Sequence, residues 1–289
     1  MKTIDQIRKI DLHMHSVISD GTDTPSELLR KVKKAGIDMF SVTDHDAITS
    51  AVIIRPILSE NDPVFISGVE FSCKDGLGKY HILGYGYDIH AQPILSLVAK
   101  GHALRVEKLG KRLELLKEQY KIAFSDEDIQ ALYANNNPGK PHIAKLMVKY
   151  GYVKSISEAF KSCLNQLKVS SAYFLPQEAI EAITQSGGIP VLAHPVFGSG
   201  DELYVGEKME ERLVPLLEYG LKGLEGYYSG YSPKLEKEVL DLAEKYDLYI
   251  TSGSDYHGEN KFVKLGETNL DDVRQAPEGM FRFLEAVLS

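Results

Sequence analysis

Cysteine is scarce in this chain, with only Cys73 and Cys163 in 289 residues. No CxxC pair and no second pair exist to build a disulfide framework, so both thiols read as reduced and structural. Long apolar runs are missing too. No stretch of about 18 apolar residues occurs to cross a bilayer as a helix. The opening Met1-Lys2-Thr3-Ile4-Asp5-Gln6 has no apolar signal core, which makes a cytoplasmic protein with no membrane partner the expectation. Positive charge is in deficit, 33 Lys and Arg against 41 Asp and Glu, for a net charge of -8. That balance excludes a broad basic face for duplex DNA. It leaves room for a nucleotide whose phosphates meet a few local cations. Neither a short repeat nor a low-complexity tract is present.

What is there is ordinary for a globular protein: 43% hydrophobic and 26% charged residues. The length suffices for one large α/β domain, alone or with an insertion, and its core needs no staple. Apolar β-branched runs alternate with helical patterns, the rhythm of βα units in a parallel barrel. Seven strands are expected, over Ile10–His15, Met39–Thr43, Val64–Phe71, Tyr80–Tyr87, Gly188–His194, Gly223–Tyr227 and Leu248–Ser254. Helices are expected over Pro25–Ala35 behind an N-cap at Thr24, over Gln177–Ser186 before Gly187-Gly188, and over Lys234–Tyr246. Between about 94 and 175 the pattern turns purely helical: Ile94–Tyr120, Ser125–Tyr133, Pro141–Tyr150 and Ser157–Leu167. The expected organisation is therefore a barrel of residues 1–93 and 176–289 carrying a helical insertion, 94–175.

Six of the nine histidines fall in, at the end of, or just after an expected strand: His13, His15, His45, His81, His194 and His257. In a parallel αβ barrel such positions converge on one mouth. In Asp11-Leu12-His13-Met14-His15-Ser16 the two imidazoles at i and i+2 share a side, while Leu12 and Met14 face the other way. Alone, that pair fits packing as well as ligation. Ser41-Val42-Thr43-Asp44-His45-Asp46 runs an apolar strand into three titratable groups, which need either solvent or an ion. Glu70, inside Gly68-Val69-Glu70-Phe71, is a carboxylate among apolar neighbours, open to a bridging role or to a buried salt bridge. His81 by itself reads as a core histidine, His194 precedes Pro195, and Asp255 and His257 repeat the i, i+2 spacing. Mixed imidazole and carboxylate donors suit Zn, Mn or Fe. Two or more such ions about 3.5–4 Å apart generate a nucleophile from water and clamp an in-line displacement at phosphorus. Hydrolysis is the chemistry implied.

The ordered set Asp-Leu-His-Met-His-Ser, Ser19-Asp20-Gly21-Thr22, Thr-Asp-His-Asp, Gly-Val-Glu, Tyr-His, Ala-His-Pro and Ser-Asp-Tyr-His resembles the polymerase and histidinol phosphatase (PHP) superfamily along nearly the whole chain. The resemblance implies a distorted (β/α)7 barrel with a trinuclear metal centre, of which two or three sites would hold divalent ions. Carried onto this sequence, His13, His15, Glu70 and Asp255 would hold the first ion. Glu70, His81 and His194 would hold the second, and Asp20, His45 and His257 the third. Many members have histidine where this chain has Asp20. Asp20-Gly21-Thr22 is similar instead to the subgroup of nucleotide phosphoesterases, although an Asp-Gly turn gives the same residues. Gly139-Lys140-Pro141-His142 and Glu158-Ala159-Phe160 resemble that subgroup's helical cap, which implies substrate contacts from Lys140 and His142, with Arg105 and Lys168 as further candidates. Lys140 stands where relatives often carry Arg, losing bidentate phosphate geometry; Arg105 also fits a solvated helix face.

The resemblance implies a phosphatase of nucleoside 3′,5′-bisphosphates that also trims short single-stranded RNA from its 5′ end. Asp44 or His194 would orient or protonate the leaving oxygen. Two alternatives stand beside it: a histidinol-phosphate or other small-metabolite phosphatase, and a metal-stabilised accessory module without catalysis. His90 and His102 read as structural, and Tyr227 and Tyr228 as packing at the barrel rim.

Overall fold

The computed structural model describes residues 3–135, 137–169, 173–198 and 203–289, and its strands form two sheets. The first joins β1 (Ile10–Asp11), β2 (Met39–Phe40) and β3 (Val64–Phe65) in parallel. The second runs β4 (Gly68–Asp75), β5 (Gly78–Tyr85), β6 (Ile189–Leu192), β7 (Gly223–Tyr228) and β8 (Tyr249–Gly253). From β6 to β8 the strands are parallel, but β5 is antiparallel to both of its neighbours. This corrects the uniform parallel rhythm expected from the sequence: β4 and β5 form a hairpin across a two-residue Gly76-Leu77 connection. The strand expected over Val64–Phe71 is likewise two, because Val64 and Phe65 pair with β2 whereas Gly68 onward pairs with β5. A Cβ at Gly68 would come within 2.0 Å of Ser41 Oγ, so only glycine lets β4 run this close to the segment after β2.

Backbone hydrogen bonds join the sheets along two seams. Beyond β1, Leu12 N–H donates to Ser252 O (2.9 Å), Asp255 N–H to His13 O (2.7 Å) and His15 N–H to Tyr256 O (2.8 Å). Beyond β2, Asp46 N–H donates to Glu70 O (2.9 Å) and Glu70 N–H to Asp44 O (3.2 Å). These seams bring four segments that are far apart in the chain to one end of the strands.

Helices cover the sheets where the apolar period predicts them. In α1 (Pro25–Lys34) the Thr24 hydroxyl accepts from Glu27 N–H while the Glu27 carboxylate accepts from Thr24 N–H, a reciprocal cap, and Leu28, Leu29 and Val32 are buried. A short α2 (Thr49–Ile54) follows β2. Between β5 and the sheet's return lie α3 (Gln92–Tyr120), α4 (Asp126–Tyr133), α5 (Lys140–Lys149) and α6 (Ile156–Ala159), the last continuing into a π turn at Phe160–Leu164. Then come α7 (Pro176–Gln185), α8 (Glu207–Glu218), α9 (Pro233–Lys245) and α10 (Glu278–Leu288). Helices α2, α8 and α10 have no counterpart among the helices expected from the sequence.

Two main apolar cores result, with a smaller third under α1. Val69, Phe71, Ile82, Leu83, Leu224 and Ile250 belong to the sheet core, whereas Leu109, Leu116, Ile143, Met147 and Leu164 form a separate core among α3–α6. Ile94 and Leu97 at the start of α3 pack into the sheet core, and Leu109 and Leu116 farther along it into the helical one. One helix thus anchors the second unit on the first. Cys73 and Cys163 are both buried and unpaired, one in each core. Among the described residues no helix is long and apolar enough to span a membrane.

Candidate metal centre

The segments after β1, β2 and β8 meet β4, β5 and the end of β6, and all nine expected ligands come together there. His13 and His15 are fully buried. Leu12 belongs to the sheet core and Met14 to the core under α1, so the imidazoles share the inner side as the spacing requires. His13 Nε2 lies 3.2 Å from His15 Nε2, 3.5 Å from Glu70 Oε1 and 3.5 Å from Asp255 Oδ1. His15 Nε2 lies 3.2 Å from Glu70 Oε2 and 3.3 Å from Asp255 Oδ1.

Those spacings test whether a cation fits. Four donors at ~2.1 Å around one ion stand about 3.4 Å apart along the edges of a tetrahedron. The observed separations bracket that value. Imidazole nitrogens and carboxylate oxygens aimed at one another in a dry interior must share either protons or metal cations.

Two neighbouring groups follow the same pattern. Glu70 Oε1 is 2.9 Å from His81 Nδ1 and 3.3 Å from His194 Nε2, with the two nitrogens 3.4 Å apart. Asp20 Oδ1 is 3.3 Å from His257 Nε2 and 3.6 Å from His15 Nδ1, and Asp20 Oδ2 is 3.7 Å from His45 Nε2. His45 also turns Nδ1 toward Glu70 Oε2, 3.0 Å away. Four overlapping donor sets result: His13, His15 and Asp255; His13, Glu70 and His194; His45, Glu70 and His81; and His15, Asp20, His45 and His257. Asp20 Oδ1, His45 Nδ1 and His194 Nδ1 are buried, and the first two face their neighbours at ion-pair distance without hydrogen-bond geometry.

Burial opposes charge on His13, His15, Asp20, His45, Glu70 and Asp255, and their mutual attraction mostly overrides it. Hydrogen bonds and charge from Asp255, Glu70 and Asp20 push His15 up to about 10, and Glu225, Glu70 and Asp255 hold His13 well above the imidazole range. Against the same burial, His81, His45 and His13 hold Glu70 well below the carboxylate range, as His257 and His45 do for Asp20 and His13 and His15 for Asp255. At His45 burial wins, and its pKa falls to about 3.

A surrounding layer of acceptors fixes which nitrogen points inward. His13 Nδ1–H donates to Glu225 Oε1 (2.8 Å), and Glu225 Oε2 accepts the His194 backbone N–H (2.8 Å). His257 Nδ1–H donates to Asp255 O (2.9 Å), which leaves its Nε2 for Asp20. A Cβ at Gly253 would meet His13 Cβ at 2.2 Å and Glu225 Oε1 at 2.6 Å, so glycine there makes the His13–Glu225 contact possible. Asp46, His194 and Asp255 hold positive φ angles of 52°, 26° and 55°. Such strain in non-glycine residues gathers where surrounding structure imposes it.

Glu225 was not singled out from the sequence. Its signal was the one that revealed Glu70, a carboxylate inside an apolar strand. Asp44 differs from expectation in its setting. It is fully buried, accepts from Ser16 N–H (2.8 Å), Ser16 Oγ (2.8 Å), Ser19 Oγ (2.7 Å) and Ser50 Oγ, and lines neither of the two cavities that open onto the cluster.

Two cavities open onto the cluster and share Asp20, His45, His81, Pro141 and Phe160. The smaller, about 310 Å3, is lined by Lys79, Arg105, Lys108, Arg112 and Lys140. Arg105 Nε donates to Asp46 Oδ2 (2.7 Å), and Lys140 Nζ donates to Asn165 Oδ1 (2.8 Å). Burial, then the charges of Arg105 and Arg112, lower Lys108 to about 8. Of the four side chains expected to touch substrate, Arg105 and Lys140 line this cavity; His142 and Lys168 line neither. His142 Nδ1 accepts the Gly139 N–H (3.2 Å) at the start of α5, and Lys168 is exposed beyond the π turn. Lys108 and Arg112 were missed, although with Arg105 they form a stripe at helical spacing on α3. The larger cavity, about 1030 Å3, is lined by His194, Phe197, Tyr228, Lys261 and Phe262 among others. Tyr228, read from the sequence as rim packing, donates its hydroxyl to Asp255 Oδ2 (2.8 Å).

Residues 11–187 match the family described as PHP domain. A 5′-3′ exoribonuclease of Haemophilus influenzae is 30% identical over 270 residues, covering 92% of this chain and 96% of that protein. A 3′,5′-nucleoside bisphosphate phosphatase of Chromobacterium violaceum is 30% identical over 291 residues, 96% of each chain. Among solved structures, a candidate metal-dependent phosphoesterase from Bifidobacterium adolescentis is similar with a TM-score of 0.81 at 27% identity, again over 96% of each chain.

Proposed function

The chain belongs to the PHP domain family and is a metal-dependent hydrolase of phosphate esters, and from that premise we propose that its substrate is a nucleoside bearing phosphoryl groups on both its 5′ and its 3′ oxygen. The two relatives' names point to one chemical unit. A nucleoside 3′,5′-bisphosphate and the first nucleotide of a 5′-phosphorylated RNA share a 5′-phosphate and a 3′-phosphoryl group. In the first the 3′ group is a monoester; in the second its diester continues into the next nucleotide. The observation that carries the reading is the smaller cavity, where Lys79, Arg105, Lys108, Arg112 and Lys140 surround a space adjoining the cluster. A phosphate that is bound but not cleaved needs such a place in a protein otherwise short of positive charge.

In this proposal His13, His15, Asp20, His45, Glu70, His81, His194, Asp255 and His257 hold two or three divalent cations, with Zn, Mn or Fe suited to the mixed donors. Bound there, such cations supply a polarised water and neutralise charge on the phosphoryl oxygens. Water adds to phosphorus, the bond from phosphorus to the ribose 3′ oxygen breaks, and that oxygen takes a proton. The products are a nucleoside 5′-phosphate and either inorganic phosphate or RNA shortened by one residue.

The chain's own groups divide the remaining work. Arg105, Lys108 and Lys140 bind the 5′-phosphate and so fix the distance from it to the 3′ oxygen. Glu225 keeps His13 in the tautomer whose Nε2 faces the cluster. Asp44, saturated by Ser16, Ser19 and Ser50, is a positioning residue for the loop that carries Asp20. His194 lines the larger cavity and, with its Nε2 turned to the cation-binding set, acts there as a ligand rather than as the proton donor. Residues 94–175 act as the cap that closes over the phosphate. A panel of adenosine 3′,5′-bisphosphate, 5′-phosphorylated oligoribonucleotides and histidinol phosphate tests the assignment. Bisphosphate hydrolysis is expected to dominate; faster turnover of histidinol phosphate would overturn it.

A further inference from the structure

Phe262 is the one exposed large apolar side chain, among the described residues, that lines either cavity. Its exposure reaches 110% of the reference value, so none of the described residues covers its ring. Isolated apolar residues at a surface are commonplace, but this one sits at the edge of the catalytic cleft on a loop held at several points. Lys261 Nζ donates to Asp255 Oδ2 and to the Tyr228 hydroxyl (3.0 Å). Asn260 Nδ2 donates to Asp20 O (2.7 Å), and Glu259 N–H to Thr22 Oγ1 (3.0 Å). The loop before Phe262 is thus fastened to the segments that carry Asp20 and Asp255.

More aromatic rings lead away from the cluster along the same cleft. Tyr228 lies 5.4 Å from the His194 ring and 6.0 Å from Phe197, centroid to centroid, and Phe160 lines the cleft from the helical side. The two cavities also differ in character. The smaller is cationic and roughly the size of one small ligand; the larger has over three times its volume and apolar walls. They meet at Asp20, His45 and His81, where the reacting phosphoryl group must lie.

We propose that Phe262 is a stacking platform for a base on the 3′ side of the scissile phosphodiester, and that it raises activity on oligonucleotides while leaving nucleoside bisphosphates unaffected. This rests on the reading of the smaller cavity as the seat of the 5′-phosphate. With that group seated there and the 3′-phosphoryl at the junction, a diester has one way to continue, into the larger cleft. A bisphosphate ends at the junction and never reaches Phe262. Aromatic rings bind bases of any sequence through their π faces, which suits an enzyme that removes successive nucleotides.

The test compares Phe262→Ala and Phe262→Trp with wild-type holoenzyme on two substrates, adenosine 3′,5′-bisphosphate and a 5′-phosphorylated pentaribonucleotide. Phe262→Ala is expected to lower kcat/KM for the pentamer roughly 5- to 100-fold, the range for loss of one base stack. The bisphosphate rate stays within about twofold, and Phe262→Trp keeps the pentamer rate. Equal losses on both substrates, or no loss on either, overturn the proposal. So does a change only in sedimentation behaviour, which would assign Phe262 to a contact with a second copy. Wild-type enzyme active on the bisphosphate but inert on the pentamer overturns this inference alone. Inactivity on both substrates removes the parent reading instead.

Discussion

Replacing Glu225 with Gln alters one buried atom and should weaken cation binding without unfolding the chain. Glu225 is fully buried, with one oxygen on His13 Nδ1 and the other on the His194 backbone N–H, both at 2.8 Å. Glutamine keeps the volume and one acceptor but loses the charge that raises the basicity of His13, and it must set an NH2 against one of two donors. Loss of such an outer partner lowers metal affinity by roughly 10- to 100-fold, which is about 1.4–2.7 kcal/mol. Glu225→Ala is harsher, since it strands two buried donors at about 1–3 kcal/mol each. Competition with a fluorescent chelator measures affinity, and a thermal melt of the cation-free protein separates folding from binding. The glutamine variant should melt near wild type when cation-free, bind more weakly, and regain most activity at high metal concentration. Wild-type affinity in Glu225→Gln would refute the view that this carboxylate orients His13.

Three further outcomes follow from the same geometry. Lys108, lowered to about 8, is charged below that pH and neutral above it, so KM for the bisphosphate should rise as pH climbs from 7 to 9; in Lys108→Arg that rise should vanish, and an unchanged profile would count against a phosphate at this residue. His15 and His13 are held above the usual imidazole range and so carry protons at pH 7 in the cation-free protein; calorimetry in buffers of different ionisation enthalpy should detect proton release on metal uptake, with affinity increasing at higher pH. Gly253→Ala drives a methyl against His13 and Glu225, and a cost of about 1–3 kcal/mol should appear as a lower Tm and weaker metal binding together; a variant that melts and binds like wild type would show that the His13–Glu225 contact is not tight.

Much of the centre could be read from the sequence because its donors cluster at strand ends. Asp11-Leu12-His13-Met14-His15 and Asp255-Tyr256-His257 carry a two-residue period, and that period dictates which side chains share a face. Glu225 and Glu70 carried equal signals, yet only Glu70 stood beside a recognisable motif. The cationic stripe of Arg105, Lys108 and Arg112 reads as an ordinary solvated helix face, since nothing within α3 tells what lies opposite. The β4–β5 hairpin went unread for a related reason. Alternation marks a strand but not its direction, and the Gly76-Leu77 turn was the sole local hint. Pro215 within α8 masked that helix, since an interior proline argues against one. Lys261 and Phe262 lie in a loop, where hydrophobic periodicity carries no information.

A crystal structure of the cation-loaded protein, with anomalous scattering recorded at the metal edges, tests the central claim most directly. The account predicts two or three peaks among His13, His15, Asp20, His45, Glu70, His81, His194, Asp255 and His257, with phosphate ester hydrolysis lost when a chelator removes them. No peak within that cluster, alongside activity indifferent to the chelator, would contradict it.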